Sequence, residues 1–365
     1  MRDRVKRIFQ RAPADVDLIV LQNAVAEHKD MSFFHATDLV AGGGFERSVA
    51  ALHRDGSLDL LVPALEETSA KRAKDAALST YVKADERKEW IKRVAQGHAK
   101  VGVNPPETTA QDYLGLQELL PGAALVDVSQ PLADARAVKD ALELARIRKA
   151  AKIVSEVSDA IPGMLREGLK EFELAAEICY AMQKRGATGP SFDTIVGFKE
   201  GSAEPHYAPG DVPLRKGEFV LCDFGAWYER YASDLTSTWM FGKPTKEMED
   251  IWDTVKRAQD AAFAAIRPGA KGADVHNAAA GVIDASPWKG RFIHSVGHSL
   301  GLAVHDGPAL SPRVDWTLEE GMVVTIEPGI YVPGIGGVRI EDDVVVTKDG
   351  YQKLTTARRD QRVAG

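Results

Sequence analysis

Apolar residues in the first part of the chain come in short runs: Leu18 to Leu21, Val101 to Val103 and Leu125 to Val128 have the length and composition of buried strands. Ala50 to Leu52 and Leu58 to Val62 flank Asp55-Gly56, a turn pair suited to a hairpin. Between these runs, Ala64 to Ala77, Lys88 to Gln96 and Ala110 to Leu120 read as helices. The alternation predicts a three-layer α/β domain over residues 1–137. From residue 138 the period lengthens. Leu142, Ala145, Ile147, Ala151, Val154 and Val157 sit near helical spacing, and further helices are expected at Lys170 to Arg185, Lys246 to Ile266 and Ala273 to Ala285. Gly186, the pair Pro268 and Gly269, and Pro287 supply their stops. Apolar strands lie among these helices, so residues 138–365 predict an α+β domain in which helices cover a strongly curved antiparallel sheet.

Several of those strands carry acids. Phe219, Val220, Leu221 and Cys222 precede Asp223, and Leu235, Thr236 and Trp239 follow Asp234. A hairpin turning at Tyr228 and Glu229 opposes the two Asp, and opposed residues project to the same face. Side by side in an apolar setting, two carboxylates repel unless protons or cations lie between them. Glu327 and Glu341 repeat the arrangement about Gly334. Any one of these acids alone is most simply a solvated residue, but four in apolar strands must each find a partner. With His298, in HSVGHSLG, they form a set of four carboxylates and one imidazole. That set suits two divalent ions such as Mn, Co, Fe or Zn better than one. His294 and His298 have the spacing of a helical metal pair, yet the intervening Ser295, Val296 and Gly297 favour strand or loop. No Glu follows His294, so the helical zinc-protease motif is absent. His276, in a predicted helix, reads as structural or exposed.

Composition narrows the class. The 365 residues carry a net charge of −7, which gives no support to nucleic-acid binding. No apolar run is long enough for a membrane span, and the basic start MRDRVKRIFQRAP lacks the apolar segment of a secretory signal. Cys179 and Cys222 are too few for a disulfide framework, which fits a cytoplasmic protein. Gly42, Gly43 and Gly44 lack the strand, Lys and spacing of a phosphate site and read as a loop.

The stretches DFG…SDLTST, HSVGHSLGLAVHDGP, EEGMVVTIEPGIYV and GVRIEDDVVVT resemble, in order and spacing, the pita-bread metallopeptidases: aminopeptidase P, prolidase and methionine aminopeptidase. The resemblance covers about residues 139–355, with a looser match to a creatinase-like amino-terminal domain. It implies that Asp223 holds one ion, that His298 and Glu327 hold another, and that Asp234 and Glu341 bridge both. It implies that Glu327 also moves the proton of the attacking water to the leaving amine. His206, in AEPHYAPGD, resembles the family residue beside the scissile nitrogen, and His305, in LAVHDGP, the one that bonds the substrate carbonyl. Arg339 and Tyr331 resemble a relay that orients a ligand carboxylate, and His294 matches a pocket-lining position.

Methionine aminopeptidases usually lack such an amino-terminal domain, so the resemblance implies hydrolysis before proline in di- or short peptides by a homodimer. The domain's size points to Xaa-Pro dipeptidase, with aminopeptidase P on longer peptides as the alternative. Creatinase, which uses no metal, and non-catalytic binding modules share the fold but have lost ligands that this chain keeps. The family's aromatic-Leu-Thr-Gly stretch is replaced here by FFHATDLVAGGGFERS. Trp90 reads as a core or helix-face aromatic, with a place in a partner's pocket as the alternative.

Overall fold

The computed structural model describes residues 1–24, 29–359 and 362–363. The chain divides into two compact units, Met1–Arg136 and Ala137–Gly365.

The first unit is a three-layer α/β domain around a mixed sheet of six strands. Their order is Ala77–Tyr81, Leu58–Pro63, Val49–His53, Leu18–Gln22, Lys100–Val103 and Ala124–Asp127. The Asp55-Gly56 hairpin forms as its sequence predicts, with Gly56 at φ +91°. Trp90 and Ile91, on the helix Ala84–Ala95, pack into the apolar core beside Leu18, Val20 and Val101. Trp90 is therefore a core residue. The helix expected over Ala64 to Ala77 shrinks to Ala64–Glu66 and Glu67–Ala70, and Ala77 begins an edge strand parallel to Leu58–Pro63. Its sequence, ALSTY, has the β-branched and aromatic content of a strand, while Lys71 to Asp75 offer no apolar face. Helices Arg2–Arg11 and Met31–Thr37 were not predicted.

In the second unit the helices Ala141–Ala160, Glu171–Lys184, Lys246–Ala265 and Gly272–Asp284 match the periodic stretches closely. Asp140 and Glu143 form a reciprocal cap on the first, and Thr245 caps the third. They cover antiparallel strands that form several ladders. The strands Ile195–Phe198, Glu218–Phe224 and Leu235–Phe241 form one, Val323–Ile326 and Asp342–Thr347 another, and Gly329–Val332 with Gly336–Arg339 a third. Two apolar clusters fill the space between helices and strands, one around Ile251, Val255, Val324 and Val344, the other around Val154, Leu174, Val220 and Leu235. These cores fix the outer faces of the strands. Their opposite faces carry the acids.

Candidate metal centre

The first acidic hairpin differs from its predicted register. Asp223 lies opposite Thr236, not Asp234, and the turn falls at Glu229 and Arg230 with φ of +46° and +63°. A two-residue turn of this kind needs two left-handed residues, a conformation bulky Tyr228 avoids by pairing with Tyr231 in the ladder. Arg146 holds Glu229 at 2.9 Å. The partner of Asp223 thus moves by two positions, which preserves the face, and Asp234 still approaches the same point. In the second hairpin Ile326 opposes Asp342 and Gly329 opposes Arg339. Glu327 and Glu341 fall in the gap between those two ladders, opposed about the turn at Gly334 (φ +84°) as the sequence predicts.

These elements bring the acids and one imidazole together. One ligand atom each from Asp234, His298 and Glu341 lies within 4.8 Å of the others. His298 Nε2 stands 3.5 Å from Asp234 Oδ2 and 3.6 Å from Glu327 Oε1. His298 Nδ1 faces the Ser299 carbonyl at 3.1 Å; a carbonyl only accepts, so Nδ1 bears the proton and Nε2 turns its lone pair to the acids. Asp223 joins the cluster through Arg339, whose Nη2 donates to Oδ2 at 2.5 Å.

Burial raises the pKa of Asp234 well above the usual carboxylate range, and the charges of Asp223, Asp343 and Glu327 add to it. Glu341 is raised in the same way, by burial and then by Asp234, Glu327 and Asp223. Burial also lifts Glu327, with His298 and Arg339 opposing. Asp223 Oδ1, Asp234 Oδ1 and Glu341 Oε1 are buried with no hydrogen-bond partner among the described residues. Buried acceptors left in that state are costly. Hard, oxygen-seeking cations would satisfy all three at once, so the donor set fits divalent ions.

Two family models match the chain: "Metallopeptidase family M24" over residues 145–348 and "Creatinase/Prolidase N-terminal domain" over residues 13–138. The chain belongs to metallopeptidase family M24. An Xaa-Pro dipeptidase of Pyrococcus horikoshii is 32% identical over 364 residues, 99% of each chain. The YkvY chain of Bacillus subtilis is 44% identical over 239 residues, and that match spans 66% of each chain. Among solved structures, an X-Pro aminopeptidase from Thermotoga maritima covers 100% of both chains at 28% identity and a TM-score of 0.91.

In this M24 chain the cluster lies on the floor of a cleft of about 1160 Å³. His206, His294 and His305 line it, with Phe192, Ile195 and Ile293 as apolar walls. The rings of His305 and His298 meet edge to face at 4.2 Å between centroids. Burial, then His298 and His206, lower the pKa of His305, so it is neutral at pH 7. Burial lowers His294 to about 3. His294 Nδ1 donates to the Ser295 carbonyl at 2.8 Å, so its Nε2 accepts from the Tyr331 hydroxyl at 2.8 Å. Tyr331 in turn accepts from Arg339 Nη1 at 2.8 Å. The relay therefore runs Arg339 to Tyr331 to His294, and the predicted pocket residue is its last member. His276 stacks on Phe292 at 5.2 Å, a structural contact.

Some contributors were not among the residues singled out from the sequence. Thr236 donates to Glu341 Oε2 at 2.6 Å and accepts from Arg339 Nε at 3.0 Å. Thr325 Oγ1 accepts the His298 amide at 3.1 Å and reaches Glu327 at 3.4 Å. Asp343 accepts the Asp234 amide at 3.0 Å. Thr236 and Thr325 lie two residues from Asp234 and Glu327, so strand alternation placed them on the ligand face.

Proposed function

We propose that the chain is an Xaa-Pro dipeptidase, a metallo-exopeptidase that hydrolyses the bond before proline. The observation that carries this is a set of four carboxylates and one imidazole, all buried but half-buried Glu327, lining a partly apolar cleft. The end-to-end match to an Xaa-Pro dipeptidase supports the substrate class. Asp223 would hold one ion, His298 and Glu327 the other, and Asp234 and Glu341 both. When bound, the ions supply Lewis acidity and water acidified enough to react near neutral pH.

The chain's own residues do the rest. Arg339 ties up Asp223 Oδ2 and leaves Oδ1 buried without a partner among the described residues, a pose that Tyr331 and His294 brace. Glu327 takes the proton of the attacking water and returns it to the leaving amine. His305, a neutral donor, bonds the oxygen on which charge develops, and His206 bonds the scissile-nitrogen side. The oxygen-rich donors favour Mn or Co, with Zn or Fe as alternatives. Two free thiols, Cys179 and Cys222, support a cytoplasmic setting. No helix among the described residues is long and apolar enough to cross a membrane. Assembly as a homodimer is carried from the family resemblance.

The likeness to an X-Pro aminopeptidase favours a second reading, removal of the first residue from longer peptides. A hydrolysis panel with an Xaa-Pro dipeptide, an Xaa-Pro-Yaa tripeptide and a Met-Ala-Ser peptide, each under several metals, separates them. Cleavage of the dipeptide alone is expected. Rapid cleavage of the tripeptide selects the aminopeptidase, and no cleavage with no metal retained after dialysis selects a binding module.

A further inference from the structure

The buried Glu171 has donors on both of its carboxylate oxygens. It opens the helix Glu171–Lys184 and is 0% exposed. All three of its donors come from one segment. The Phe198 amide donates to Oε1 at 2.8 Å, and the Tyr207 hydroxyl and Gly210 amide each donate to Oε2 at 2.9 Å. Between those donors lies His206. The other wall of this arm is the strand Gly336–Arg339: Gly337 N donates to Ser202 Oγ at 2.8 Å, and a Cβ on Gly337 would meet the Ser202 carbonyl at 2.2 Å. A Cβ on Gly201 would strike the Tyr207 ring at 2.8 Å. The arm is thus wedged between a ligand-bearing hairpin and one carboxylate.

A fully buried acid could serve stability alone. Its geometry argues for more, because a planar two-oxygen acceptor fixes donors on both sides of His206 at once. Gln keeps the shape but offers one acceptor oxygen, and its NH2 would face either the Phe198 amide or the Tyr207 hydroxyl and Gly210 amide. We propose that Glu171 is a positioning residue that holds the arm from Lys199 to Gly210 so that the His206 imidazole faces the acidic cluster. This rests on the reading above that His206 acts on the substrate.

The test is a double-mutant cycle in the metal-loaded, full-length enzyme, with Glu171→Gln, His206→Ala and the pair, assayed on whichever peptide the panel shows to be hydrolysed. Glu171→Gln alone should lower kcat/KM by about 10–100-fold, chiefly in kcat, with bound metal unchanged. In the His206→Ala background it should cost less than about 2-fold more. An equal loss in both backgrounds, or a single variant within about 2-fold of the parent, overturns the proposal and leaves the peptidase reading standing. His206→Ala at parental activity overturns the role of His206 and, with it, the coupling. Should Glu171→Gln not fold, Tyr207→Phe takes its place: a loss of about 3–10-fold that vanishes without His206 supports the inference, and a loss that persists overturns it.

Discussion

Asp234 and Glu341 each present one oxygen to a neighbour and one, buried, to no partner among the described residues. Asp234 Oδ2 faces His298 and Glu341 Oε2 takes the Thr236 hydroxyl, while Asp234 Oδ1 and Glu341 Oε1 stay open. A carboxylate with that division can serve two ions, so its removal affects both. Asp234→Ala or Glu341→Ala is expected to abolish both activity and stoichiometric metal, measured by elemental analysis after dialysis. Two ions retained per chain in either variant would contradict the bridging role. At this scale the ligands were legible because four acids in apolar strands, with one imidazole, must together find partners. Thr236, Asp343 and Glu171 were not, because local position does not reveal which distant group a side chain meets. Their significance comes from partners such as Glu341 or Tyr207, dozens of residues away in sequence.

Whole elements were legible where period and punctuation agreed, as in Lys246–Ala265 between the Thr245 cap and Pro268. They failed where the sequence permits two answers. Ala64 to Ala77 has helix-forming residues, but pairing with Leu58–Pro63 claims its end as a strand. The acidic hairpin slipped because turn stereochemistry, not the acids, sets its register. The strand Ile195–Phe198 shows a tighter constraint: a Cβ on Gly197 would lie 2.6 Å from the Gly201 carbonyl carbon and 2.7 Å from its oxygen. Backbone cannot yield as a side chain can. Gly197→Ala should therefore cost about 1–3 kcal/mol in urea unfolding and lower turnover by displacing the arm that carries His206. An unchanged midpoint with full activity would show that the arm has room to move.

For the molecule as a whole, the acidic centre couples folding, protons and metal. Burial raises the pKa values of Asp234, Glu341 and Asp343 in the metal-free fold, so in that state it binds more protons than the unfolded chain. Where the folded state holds the extra protons, unfolding free energy falls as pH rises. The penalty begins as pH climbs through the ordinary carboxylate range near about 4 and is complete only above the raised folded values. Divalent ions replace those protons, so their binding releases protons and strengthens with pH. The metal-free protein is expected to lose thermal stability from pH about 4.5 upward, whereas Mn or Co at about 100 times its Kd at neutral pH should restore about 2.7 kcal/mol per site. The double variant Asp234→Asn, Glu341→Gln isolates the cause, since it keeps the shapes and removes two of the titrating groups. Its melting temperature should vary less with pH and should not respond to the metal. A metal-free parent as stable at pH 8 as at pH 5, with no rise on adding the ions, would mean that the buried acids are balanced within the protein and that the centre was not built around cations.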